Sequence, residues 1–259
     1  MRIALGVEYD GSGYCGWQLQ SGNRTVQEVV EHAIGKVADH DVRVTCAGRT
    51  DTGVHALGQV VHFDTESVRS ERSWILGCNA NLPRDVNISW AREVDDDFHA
   101  RFGATQRSYR YVILNRMSRS ALLRDRVCWH HQPLDESRMH TAARYLLGEH
   151  DFTSFRALAC QAKHPVRTIH GIELRRHGEY LTLDVSANAF LHHMVRNIAG
   201  TLIAVGEGEQ DPEWVQHLLE IKDRSVSGMT APAQGLYLVA VRYPERFQLP
   251  VPPSPPDFF

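Results

Sequence analysis

The 259 residues are 42% hydrophobic and 23% charged, a globular composition that excludes whole-chain disorder. At roughly 100–200 residues per domain, this length permits one large domain or two small ones. The formal charge of −3 excludes a global basic excess, so any nucleic-acid surface must be local.

Taken in chain order, residues 3–9 alternate, with Ile3, Leu5, Val7 and Tyr9 on one face, which predicts a half-buried strand. Asp10-Gly11-Ser12-Gly13 ends it. Thr25-Val26-Gln27-Glu28 has the pattern of a capping box, followed by Val26, Val29, Val30, Ala33, Ile34 and Val37 at helical spacing. Strands are expected at Val42–Cys46 and Gln59–Phe63, joined by a twelve-residue connection, Ala47–Gly58, long enough to suggest a functional loop. Tyr109, Tyr111 and Ile113 alternate in a further strand, and Met139, Ala142, Ala143, Leu146 and Leu147 form a helix stripe that stops at Gly148. Ile169–Arg175 and Tyr180–Val185 read as a hairpin about His177-Gly178. A helix is expected over Asn188–Gly206, another starting at Asp211-Pro212 as N-cap and first helical residue, and a last strand at Leu236–Val241. The pattern predicts two related α+β halves sharing a mixed, mainly antiparallel sheet flanked by helices, over 1–100 and 101–245. The stretch 246–259 holds five of the eleven prolines and is expected to lie outside the core.

The first residues contain no apolar run of signal-peptide length, and no run approaches the roughly 18 residues of a membrane span. A soluble, cytoplasmic protein is expected. The five cysteines (15, 46, 78, 128, 160) follow neither a disulfide nor a zinc spacing. The fifteen histidines include no HExxH, and neither a Walker A loop nor a G-x-G-x-x-G opens any helix. No metal and no nucleotide cofactor are expected. Positive charge comes from 25 Arg and 3 Lys, and Phe98–Arg126 concentrates seven Arg against one acid, Asp125. Such a run is either a solvated face or a phosphate-binding surface.

Three places can carry chemistry. In the long loop, Asp51 stands between Thr50 and Thr52-Gly53 and is either a turn residue bonding its own backbone or a nucleophile. A carboxylate needs no activating base for that role. Arg49, two positions earlier, can grip phosphate or fill a gap in a base stack. In Arg107-Ser108-Tyr109-Arg110-Tyr111, residues 107, 109 and 111 share a strand face, as ordinary sheet-core aromatics or as a surface on which a base stacks. Arg196 lies in a helix apolar on most of its circumference. It either snorkels to the surface or requires a carboxylate partner, for which Asp51 is a candidate.

The segment Cys46-Ala47-Gly48-Arg49-Thr50-Asp51-Thr52-Gly53-Val54-His55-Ala56 resembles the catalytic signature of the tRNA pseudouridine synthase A family. The resemblance continues through Gly6–Gly11, Gly16-Trp17-Gln18, Asn79–Pro83, Phe98–Phe102, Arg107–Tyr111, His150–Phe155, Asn188–Asn197 and Gly235–Leu238. One departure is Thr52, where the family usually has Ala. The resemblance implies the pseudouridine synthase fold, with an active-site cleft between its halves. It also implies isomerisation of uridine to pseudouridine at positions 38 to 40 of the tRNA anticodon arm, after the base is flipped out. By the same resemblance Asp51 matches the catalytic aspartate, Tyr109 the tyrosine stacking on the target base, Arg196 the aspartate's basic partner, and Arg49 the residue that takes the flipped base's place. Arg101, Arg107 and Arg110 are the expected RNA-binding set. A homodimer and no cofactor are also implied.

Overall fold

The computed structural model describes residues 1–158, 160 and 162–251. The described residues divide into two units, Met1–Thr105 together with 237–251, and Gln106–Leu236.

In the first unit, β1 (Arg2–Tyr9) lies between β3 (His55–Asp64) and β4 (Val86–Val94), antiparallel to both. β2 (Thr45–Cys46) pairs with β3. The last strand, β10 (Leu236–Arg242), runs parallel to β3, with Tyr237 opposite His55. The sequence predicted β1 as half-buried, yet Ala4 and Gly6 are buried as well as Ile3, Leu5 and Val7. Position 6 is glycine because the Trp90 ring of β4 covers it, leaving no room for a Cβ. Helices α1 (Val26–Ala38) and α2 (Glu71–Asn81) pack together, and Trp74 of α2 meets Phe63 of β3 edge-on at 5.3 Å.

α1 buries Val26, Val30, Ala33 and Ile34, as its spacing predicted, but the capping box does not form. Thr25 is fully buried and its hydroxyl has no hydrogen-bond partner. The first amides of the helix are instead taken by main chain, Val26 by the Gly16 carbonyl at 3.2 Å and Gln27 by the Trp17 carbonyl at 3.0 Å. β2 is shorter than expected because the Val44 amide is spent on the buried Glu31 carboxylate, at 3.0 Å. β3 starts earlier than expected because His55 and Ala56 find partners on β10 and on Tyr9. The connection between them is therefore Ala47–Val54. α2, whose Ser70 accepts the Ser73 amide at 3.1 Å, and β4 had no counterpart in the sequence reading. Phe247, expected in a tail outside the core, is buried against Phe98 at 5.1 Å. An aromatic ring beside an apolar socket outweighs the extended preference of its proline-rich surroundings. Residues 252–259 of that expectation lie outside the described residues.

In the second unit, β5 (Gln106–Asn115) pairs with β9 (Tyr180–Ala187), β9 with β8 (Val166–His177) and β8 with β7 (Gly148–Asp151), all antiparallel. β6 (Cys128–His130) is parallel to β5. β8 and β9 form the predicted hairpin, with Gly178 at φ +58° in its turn. α3 (Glu136–Arg144) packs on β8 and on α4 (Met194–Gly206), and α5 (Trp214–Ile221) packs on α3. Both units thus carry mixed, mainly antiparallel strands with separate helices, an α+β fold.

Two helix starts differ from expectation. α4 begins at Met194, not Asn188. The Asn188 side chain accepts the Thr168 and Ala189 amides, the His192 carbonyl accepts the Ala157 amide at 2.9 Å, and His193 turns into the left-handed region at φ 63°. These bonds hold residues 188–193 in a non-helical bend. At Asp211-Pro212 the chain makes only a turn, with the Trp214 amide on the Asp211 carbonyl. The Asp211 carboxylate goes to Arg138 at 3.1 Å instead of capping the helix. Among the described residues no helix is long and apolar enough to cross a membrane.

Candidate active site

In the first unit the Asp51 loop is fixed by buried polar side chains on both sides. Gln59 of β3, fully buried, faces Gly48: its amide nitrogen donates to the Gly48 carbonyl at 2.6 Å and its amide oxygen accepts the Gly48 N–H at 3.3 Å. The Thr50 hydroxyl bonds the Tyr9 hydroxyl at 2.8 Å, and the Thr50 carbonyl accepts the Trp17 N–H at 3.0 Å. After Asp51 the chain turns through Gly53 at φ +78°, closing with the Val54 amide on the Asp51 carbonyl at 3.1 Å. The chain thus turns at Asp51, through a main-chain bond and not through its carboxylate. Gly16, at φ +83°, passes so close that a Cβ there would lie 2.7 Å from the Thr50 carbonyl oxygen. The loop is seated on a glycine that no L side chain could replace without strain.

On this seat Thr50 is buried, Asp51 half-buried, and Arg49 and Thr52 exposed. The extra hydroxyl of Thr52 therefore stands at the surface. Cys46, just before the loop, is buried, and desolvation pushes its thiol up to about 11, against the opposing charges of Arg49 and Arg101. Both guanidinium groups thus lie on the Cys46 side of this unit. All five cysteines are free, and burial likewise lifts the Cys78 thiol to about 12. A thiol held protonated in this way is no nucleophile.

In the second unit β5 presents the Arg-Tyr strand as its alternation predicted. Tyr109 is 8% exposed, opposite Val185, and meets the Phe190 ring edge-on at 5.0 Å. Arg107, on the same face, donates to the Asn188 carbonyl at 3.0 Å. Both side chains therefore lie against the bend 188–193 that leads into α4. Arg110 points the other way and holds Asp184 through two bonds, at 2.8 and 2.9 Å. Its charge is matched within the sheet, which separates it from Arg107.

Arg196 lies in the first turn of α4 and is half-buried. Its Nε donates to the Ala231 carbonyl at 2.8 Å, and its own carbonyl accepts the Ala231 N–H at 3.1 Å. It sits near Tyr111, whose hydroxyl is held far above its ordinary range by burial, with Arg196 as a smaller opposing charge. Below it, the fully buried Asn197 donates to the Phe155 carbonyl at 2.7 Å and accepts from Thr230 at 2.6 Å and Arg224 at 3.2 Å. Sequence reasoning missed Gln59, Phe190 and Asn197. A lone polar residue on the inward side of an apolar strand, as in Gln59-Val60-Val61, is the signal that could have found the first. The other two lie in the Asn188–Asn197 stretch that carries part of the resemblance, but residue period there gives no sign of their roles, since partners such as Tyr109 and Phe155 are far away in the chain.

The profile of a family described as tRNA pseudouridine synthase matches residues 6–103 and 142–244. The chain is 60% identical over 249 residues to tRNA pseudouridine synthase A of Methylococcus capsulatus, covering 96% of this chain and 92% of that protein. It is 56% identical over 258 residues to tRNA pseudouridine synthase A of Vibrio atlanticus, covering 100% and 98%. A solved structure of an H/ACA RNP bound to a substrate RNA containing 2′-deoxyuridine matches with a TM-score of 0.37 and 13% identity. That match covers 78% of this chain and spans under half, 44%, of the other. The profile matches most of the chain and the relatives nearly all of it, and the chain belongs to the tRNA pseudouridine synthase family.

Proposed function

We propose that this enzyme converts uridine to pseudouridine at positions 38, 39 and 40 of the tRNA anticodon stem-loop, with Asp51 as the nucleophile or base. The reaction breaks the N1–C1′ bond, turns the uracil and forms a C5–C1′ bond. It involves neither net redox change nor net hydrolysis, so the chain's own side chains suffice as catalyst. The target base must leave its stack, at a cost of a few kcal/mol. Contacts between Arg side chains and phosphates offset that cost.

The observation that carries this reading is the Asp51 loop. Its approach is clamped by Gln59 on Gly48 and by Thr50 on Tyr9, while Asp51 itself stays half-buried. A group held in this way loses little freedom when substrate arrives. In the proposed arrangement Arg196 is the ionic partner of Asp51. Tyr109 stacks on the extruded uracil and takes the C5 proton. Arg49 enters the space the base vacates. Arg101 and Arg107 contact phosphates, and Arg110, already matched by Asp184, contributes least of the three. The enzyme acts in the cytoplasm as a homodimer, with one tRNA spanning both subunits.

Mass mapping of pseudouridine in tRNA incubated with wild type and with Asp51→Asn tests the assignment. Wild type is expected to modify positions 38 to 40. The variant is expected to bind tRNA as before and form no pseudouridine. Clear residual turnover in Asp51→Asn would remove Asp51 from its role.

A further inference from the structure

Phe102 is a large apolar ring left 77% exposed, on a turn built to hold it there. The His99 imidazole lies against the ring, centroids 4.5 Å apart and planes 35° from parallel. His99 Nδ1 accepts the amides of Arg101 and Phe102, at 3.2 and 3.1 Å, and the Gly103 amide bonds the His99 carbonyl at 2.8 Å. Beneath it His62 of β3 is buried, 4.9 Å from the His99 ring, and its Nδ1 accepts the Ala100 amide at 3.1 Å. The Ala100 carbonyl accepts the Tyr243 hydroxyl at 2.6 Å. The Arg101 guanidinium stands over the Phe102 ring, 5.4 Å from its centroid, while the ring stays 77% exposed. The His99 imidazole, itself met edge-on by the buried His62 ring, thus supports an exposed ring whose charged neighbour is a cation.

We propose that Phe102 is a stacking platform for an unpaired base of the tRNA substrate. The proposal rests on the tRNA reading above and adds a contact remote in sequence from the reacting carboxylate. Every nucleobase offers a π face, so a fixed aromatic ring binds single-stranded RNA without choosing its sequence. The adjoining guanidinium suits the phosphate that accompanies the base. An aliphatic protein partner would have no use for that charge beside the ring.

The experiment measures binding of unmodified tRNA to wild type and to Phe102→Ala, Phe102→Leu and Phe102→Trp across a salt series, with subunit number followed by light scattering without RNA. Stacking is worth about 1–3 kcal/mol per base, which converts to about 5- to 150-fold in affinity. Ala and Leu should lose that much and Trp should lose none. The slope of log K against log salt should stay that of wild type, since the ring meets no phosphate. Unchanged binding by Phe102→Ala, or full affinity in Phe102→Leu, overturns the platform alone. A change in subunit number in Phe102→Ala also overturns it and gives the ring to a second copy of this chain. Failure of wild type to bind tRNA would overturn the proposed function and the platform together.

Discussion

Gln59 shows how much one buried side chain settles. Its amide serves the N–H and the carbonyl of a single glycine three positions before Asp51. In Gln59→Leu both Gly48 groups lose their partner, and each buried orphan costs about 1–3 kcal/mol. The loop then drifts, and a displacement of about 1 Å in a reacting group costs roughly 100-fold in rate. The expected result is a lower melting temperature together with a 10- to 100-fold loss in kcat for pseudouridine formation, KM for tRNA being nearly unchanged. Gln59→Glu keeps the acceptor and loses the donor, so its kcat should fall between the two. Equal kcat in all three proteins would mean that the clamp does not position Asp51.

At the scale of elements, α4 is the clearest case of context overriding local preference. A glycine inside a helix is ordinarily improved by alanine, by about 1 kcal/mol. Gly200 in α4 should behave the opposite way, because a Cβ there would meet the Met229 carbonyl oxygen at 1.8 Å. The segment around Met229 continues into Ala231, which exchanges two hydrogen bonds with Arg196. Gly200→Ala must push that segment away from the helix. A destabilisation of about 1–3 kcal/mol is expected in urea unfolding, with reduced activity as Arg196 loses its support. A more stable Gly200→Ala protein would show that the 228–231 segment yields without cost.

For the whole molecule, acid stability depends on the buried imidazole of His62. Burial, helped by the Arg2 and His99 charges, lowers it to about 4 from an ordinary value near 6.5. Between those values the unfolded chain binds a proton that the folded chain refuses. Stability is therefore intact above about pH 6.5 and falls as the pH drops towards 4, by at most about 3 kcal/mol from this residue. Denaturant midpoints between pH 7 and 4 should fall more steeply in wild type than in His62→Gln, whose amide oxygen can still accept the Ala100 amide. Parallel curves would assign the acid sensitivity to other groups.

The existence of β1, β5 and the β8–β9 hairpin, and the apolar face of α1, were legible because adjacent residues decide them, although β1 is buried on both faces. The signature around Asp51 was legible for a different reason, since a run of small, charged and glycine residues in fixed order is carried by the chain itself. The buried polar residues that brace each unit were not legible. Gln59, Asn197 and Glu31 bond groups 11 to 42 positions away. The failed cap at Thr25, the late start of α4 and the burial of Phe247 have one cause. Each depends on a backbone group or ring that folding brings from elsewhere. By itself the sequence determined which residue types are offered for chemistry and the period of β5, the β8–β9 hairpin and α1, since both follow from residue type and spacing. Only the tertiary structure decided which backbone amides, charges and rings are already spent on one another, because a hydrogen-bonding group satisfies the partner that folding places in reach.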